Sequence, residues 1–331
     1  MSSDKIISFG NSQVLRGGGI LLMLIHHLFY SEASRLRYDD LIVHGYGFVN
    51  QIGIFSKLCV AIFVFISGYG LATKYREGIN LKQFYTSRFK KLYLNYWFIL
   101  LIFVPIGVFV FHRTLADAYG QHVAIKAILE FFGVLNLTGQ LGYNPTWWFY
   151  SCIIVLYLLF PWLSKQFDKS PYLIATISVF ATFIAFLPFV QPYSHYLLTF
   201  IAGMLMARKP ELFKEIGTKE TIASLLMLCL MRNFCGNLTF IVDTMICVGM
   251  VMLLYRIRLP KWFRSVMENL GKHSMNIFLF HTFIFLYWFR DYIYITRNPL
   301  LIFLSLLLSC WIISVAIEFI KNKIGFYRLV R

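Results

Sequence analysis

The sequence predicts an all-α, polytopic membrane protein of about ten transmembrane helices with both termini in the cytosol. Three observations carry this. Of the 331 residues 59% are hydrophobic and 18% aromatic, and the mean hydropathy of +0.67 exceeds what a soluble core absorbs. Apolar segments of about 20 residues, the length that crosses a bilayer, recur from Leu15 almost to the end of the chain. The Lys and Arg residues gather at the ends of those segments. No room is left for a sizeable soluble domain, so a single transmembrane domain over residues 1–331 is expected.

The formal charge of +16 raises the question of nucleic acid, but the basic residues form no amphipathic stripe, and no nucleic-acid partner is expected. The six cysteines lie mostly inside apolar segments without a CxxC pair. They read as small core residues, and no metal site is expected.

Spans are predicted at residues 15–31, 52–74, 92–111, 145–164, 172–190, 193–207, 220–234, 239–255, 273–289 and 299–320. The first follows a short polar tail and has no small-residue cleavage site, so it is retained as a helix. With ten spans, 23 of the 31 Lys and Arg residues fall on one side and eight on the other. The richer side is cytosolic. Trp147 and Trp148 open the fourth span while Pro161 and Trp162 close it, as belts at the two interfaces. Between the third and fourth spans, 124–137 is apolar enough to lie in the interface or re-enter, where it could cover an acceptor site. No internal repeat is visible.

Titratable groups at membrane depth are costly and mark functional positions. On the first helix Arg16 is followed by Gly17, Gly18 and Gly19, then by His26 and His27. Eleven residues from Arg16 to His27 are about 16 Å of rise and nearly three full turns, so the two share one face. His27 falls near mid-bilayer and Arg16 at the cytosolic phosphate level. That stripe fits a ligand with phosphates at one end and a reactive group on a long thin arm, which the glycines would let lie close to the helix. The plainer alternative leaves Arg16 as an anchor and His27 as an interhelical hydrogen bonder. His26 points about 100° away and reads as a packing or supporting residue.

His281, nine residues beyond Lys272, reaches a depth similar to that of His27, so the two could face one cavity. Arg232 and Asp243, at the ends of consecutive helices, read as a structural ion pair. Glu130 reads as a partner of Lys126, or as a carboxylate that orients an acceptor hydroxyl. In the loop 74–91 six basic residues face one acidic residue, and Arg88 and Lys91 can address one anion from a helix start.

These residues resemble the acyltransferase-3 family of membrane-bound acyltransferases, which modify bacterial surface polysaccharides and antibiotics. The resemblance covers nearly the whole chain. It rests on Arg16 with His27 after ten intervening residues, Ser67-Gly68-Tyr69, Arg88 with Lys91 in an Arg-x-x-Arg position, Thr146-Trp147-Trp148-Phe149 with Pro161, and Leu270-Gly271-Lys272-His273-Ser274 leading to His281. Lys91 departs from the pattern and lacks the bidentate fork of arginine. Members often carry a further extracytoplasmic domain, and none is expected here.

The resemblance implies a multi-pass protein of the bacterial cytoplasmic membrane, in contact with membrane lipid. It implies an acyl-CoA donor, acetyl-CoA in particular, with phosphates near Arg16, Arg88 and Lys91 and no tightly bound cofactor. His27 would be catalytic, as a base or as an acyl carrier, with His281, His26 and Glu130 as supporting or catalytic candidates. The acceptor would be a polysaccharide or a lipid-linked glycan. A carbohydrate transporter with a histidine proton relay and a scaffold for polysaccharide synthesis are the alternatives from other classes.

Overall fold

Helices form almost everywhere the hydropathy asks for them, and several begin earlier. The computed structural model describes residues 5–43, 46–184 and 191–330. Among these residues are ten helices of fourteen residues or more. They are α1 (Phe9–Phe29), α2 (Leu58–Lys74), α3 (Leu81–Phe109), α4 (Trp148–Lys169), α5 (Pro171–Ile184), α6 (Gln191–Arg208), α7 (Thr218–Met231), α8 (Thr239–Arg256), α9 (Lys261–Thr282) and α10 (Pro299–Lys323).

Polar caps explain the early starts. The Ser8 hydroxyl accepts from the Asn11 amide at 3.1 Å and opens α1 six residues before the expected position. Asn80 accepts from the Gln83 amide at 3.0 Å, so α3 begins at Leu81 and Arg88 and Lys91 lie within the helix instead of just ahead of it. α9 opens at Lys261 because 261–272 is amphipathic and carries an Arg264–Glu268 pair at 3.0 Å, a pattern that mean hydropathy averages away. The expected helix at 52–74 breaks at Ser56 and Lys57 into Phe48–Phe55 and α2. The expected helix 172–190 is present over Pro171–Ile184, and 185–190 lie outside the described residues.

Five segments are long and apolar enough to cross a membrane: Phe48–Lys74, Leu81–Phe109, Pro145–Lys169, Gly236–Arg256 and Pro299–Lys323. The chain divides into two compact units. The first comprises Met1–His26, Gln51–Ile79 and Leu158–Lys272, the second His27–Asn50, Asn80–Tyr157 and His273–Arg331.

In the first unit glycines set the helix contacts. The Cα of Gly17 faces the Met267 carbonyl and that of Gly271 the Gln13 carbonyl, so α1 and α9 approach backbone to backbone. Gly68 and Gly203 do the same for α2 and α6, against the Phe200 and Phe65 carbonyls. The Tyr69 hydroxyl accepts from the Ile7 amide at 3.0 Å. Arg232 and Asp243 form the expected pair, buried and bidentate at 2.6 and 3.0 Å, with Arg232 also donating to the Ile54 carbonyl at 3.1 Å.

In the second unit α3 holds the short helix Val123–Phe131 by its C-terminal end. Tyr93, Tyr96 and Trp97 occupy one face of α3 and donate to the carbonyls of Phe132, Glu130 and Phe131 at 2.8, 2.5 and 2.8 Å. Carbonyls at a helix C-terminus run out of intrahelical donors, so these side chains help to satisfy them, alongside the Gly133 amide that also reaches the Glu130 carbonyl at 2.7 Å. At the far end of α10, Lys321 is fully buried and donates to Asn95 at 2.9 Å and Asn276 at 2.7 Å.

Candidate active site

α1 and α9 bring two histidines together in the second unit. His27 and His281 have ring centroids 4.9 Å apart with planes tilted by 41°. His281 is fully buried, with its Nδ1 2.9 Å from the Phe278 carbonyl and 3.1 Å from the Ile277 carbonyl. A carbonyl only accepts, so Nδ1 carries the hydrogen and Nε2 of the neutral ring is the acceptor. His27 is half-buried and faces a cavity of about 340 Å³.

Past Thr282 the helix widens into a π turn over Phe283–Trp288, an irregularity that recurs at functional sites. Phe285 in that turn stacks on His281, with centroids 5.9 Å apart and planes within 14°. Tyr30, Thr146, Trp148, Thr282, Arg290 and Tyr294 complete much of the cavity wall.

Glu130 does not line this cavity, but it anchors the segment that does. Its buried carboxylate accepts from the Tyr119 hydroxyl and from the Tyr143 and Asn144 amides at 2.8 and 3.4 Å. Lys126, its expected partner, donates instead to the Tyr119 carbonyl. Asn144 donates through Nδ2 to the Leu279 carbonyl at 3.1 Å, and its Oδ1 accepts from the Thr146 amide and hydroxyl at 3.0 and 2.8 Å. Thr146 Oγ1 lies 3.1 Å from Thr282 Oγ1, which lies 3.4 Å from His281 Nε2. A hydrogen-bonded chain thus runs from Glu130 to Thr282, beside the histidine pair. Because Thr146 gives its only hydroxyl hydrogen to Asn144, Thr282 turns its own toward Thr146, and His281 Nε2 keeps its lone pair.

The same segment is gripped from its other side. Arg113 donates to the Tyr143 carbonyl at 2.7 Å and sits over the Tyr143 and Tyr287 rings at 4.3 and 3.5 Å. Burial pushes the Glu130 carboxyl above its ordinary range, against the hydrogen bonds and the Arg113 charge that favour the anion.

The remaining sequence candidates are placed as follows. His26 donates from Nδ1 to the Gly53 carbonyl at 2.8 Å within the first unit, as a packing residue does. Arg16 is half-buried on α1, Arg88 half-buried on α3 and Lys91 exposed there. Of the three glycines after Arg16, Gly17 packs on Met267 and Gly19 on Phe63, and only Gly18 faces open space. Sequence reasoning missed Asn144, Thr282 and Arg290, and named Thr146 only within the Thr146-Trp147-Trp148-Phe149 stretch of the resemblance. Asn144 was findable, since Asn-Pro ahead of an apolar helix is a cap signature, and its Oδ1 bond to the Thr146 amide is that cap.

Fold and site together define a multi-pass helical membrane protein whose cavity presents imidazole, hydroxyl and aromatic groups. The chain belongs to the acyltransferase-3 family: a family model described as an acyltransferase domain matches residues 10–319. No match was found among curated proteins or among solved structures.

Proposed function

We propose that the protein is an O-acyltransferase of the bacterial cytoplasmic membrane, moving an acetyl group from a cytosolic coenzyme A thioester to a hydroxyl of a surface or lipid-linked polysaccharide. The observation that carries this reading is His27, facing the cavity with His281 against it. A neutral His27 ring carries its hydrogen on one nitrogen and leaves the other bare, and the bare nitrogen is the proposed base. That bare nitrogen takes the proton of the acceptor hydroxyl while the hydroxyl oxygen attacks the thioester carbonyl. The C–S bond breaks, an ester forms, and the thiolate leaves with the proton that His27 returns.

In the carrier variant the same nitrogen attacks the thioester first. The C–S bond breaks, coenzyme A leaves as the thiol with the hydrogen given up by the acylated ring, and the acceptor hydroxyl then takes the acyl group while its proton returns to the ring. Arg16, Arg88 and Lys91 are the cations proposed to hold the phosphates of the donor, and Glu130, through Asn144, positions the Thr146 edge of the cavity. No observation favours the transporter reading.

His27→Ala at equal membrane levels should cut transfer by about 10²–10⁴-fold, the usual contribution of a positioned acid–base group. Unchanged turnover removes the mechanism. Arg16→Ala should raise the thioester concentration needed for half-maximal rate, and an effect confined to the acceptor would refute its phosphate role. Rapid quenching without acceptor, followed by peptide mass analysis, separates the carrier from the base by whether His27 is acylated.

A further inference from the structure

The cavity at His27 carries one charged side chain in its wall, Arg290. Among the described residues Arg290 makes no hydrogen bond or ion pair. Its sequence neighbour Asp291 pairs with Arg37 at 2.9 Å, and no carboxylate of the described residues lines the cavity wall. Every other polar group in the wall apart from His27 is neutral, with hydroxyls on Ser31, Ser34, Thr146 and Thr282.

A guanidinium with five donors and no carboxylate is unfinished business in a half-buried site, because its planar fork is built for an oxyanion. Trp148 and Tyr294 are aromatic members of the wall, and about 340 Å³ lies at the lower end of small-molecule sites, the size of a sugar unit and not of an extended chain. We propose that the acceptor unit is an anionic sugar, bearing a carboxylate or a phosphate that the Arg290 fork binds while a hydroxyl of the same unit is presented to His27. This rests on the acyltransferase reading above and adds to it the charge class of the acceptor.

The test is binding first and turnover second. Purified full-length protein is titrated with methyl glucoside, methyl glucuronide and glucose 6-phosphate, as wild type, Arg290→Ala and Arg290→Lys, with melting temperatures taken to show that each variant is folded. At least one anionic sugar should bind tenfold or more tighter than the glucoside, and which one does so distinguishes carboxylate from phosphate. Arg290→Ala should bring that ratio below twofold, while Arg290→Lys, which keeps the charge without the fork, should retain part of it. Equal affinity for the three sugars, no detectable binding of either anion, or a ratio untouched in Arg290→Ala overturns the proposal and leaves Arg290 as an interfacial anchor. Acetyl-CoA is then added to the wild type. An anionic sugar held through Arg290 but not acylated keeps the charge assignment and removes the acyltransferase reading instead.

Discussion

Glu130 gathers three donors around a carboxylate that is almost wholly out of water. Desolvation is the larger influence, and it raises the carboxyl above its ordinary 4.5. The sign follows from linkage: a group whose folded value is raised contributes stability that is complete below the unfolded value and is lost as pH rises through the folded one. Melting temperature measured against pH should therefore fall from about pH 4.5 upward in the wild type and fall less in Glu130→Gln, where position 130 no longer titrates. A variant profile parallel to the wild type would assign the slope to another group. At this scale the sequence exposed His27 and His281 because an imidazole at membrane depth is expensive. It did not expose Thr282, because a threonine inside an apolar segment costs little there and is common. Nor could spacing assign the hydrogen on His281 to Nδ1, which depends on two carbonyls of its own helix.

The three glycines of α1 show how an element divides its work. All look alike in sequence, but a Cβ on Gly17 would meet the Met267 backbone, one on Gly19 the Phe63 ring, and one on Gly18 nothing within 4 Å. Gly17→Leu should destabilise by about 1–3 kcal/mol or more, since the neighbour is backbone and cannot swing away. Gly18→Leu should leave the melting temperature within the scatter of surface substitutions. If the arm of the donor runs along α1, Gly18→Leu should also raise the thioester concentration needed for half-maximal rate, and a melting loss equal to that of Gly17→Leu would refute the distinction. Helix existence was legible throughout, because long apolar runs leave lipid-exposed backbone no other way to pair. Helix starts were not, since Ser8 and Asn80 act through single hydrogen bonds that hydropathy does not register.

Membrane crossing is where composition and geometry part company. Ten long helices are present among the described residues, yet five segments meet the demands of length and apolarity by themselves. α7 has fourteen residues, and α9 carries Lys261, Arg264, Glu268 and Lys272 in its first turns. Such helices cross only when neighbours cover their polar or short stretches, which no local window can detect. Parity supplies the test. Ten crossings put both ends of the chain on one side, with the basic excess in the cytosol, and five put them on opposite sides. Reporters fused at each end in turn should both report the cytosol, and opposite readings would discard the ten-span topology.

A π turn is what an α-helix becomes when one residue is inserted and the helix is kept. Phe283–Trp288 therefore records an extra position between the histidine pair and Arg290. Excising one residue from it would restore regular winding and turn everything downstream by roughly 100°. His281 would stay in place while the guanidinium left the cavity, so the proposed base pair and the proposed acceptor contact lie on two stretches of helix that meet at Phe289.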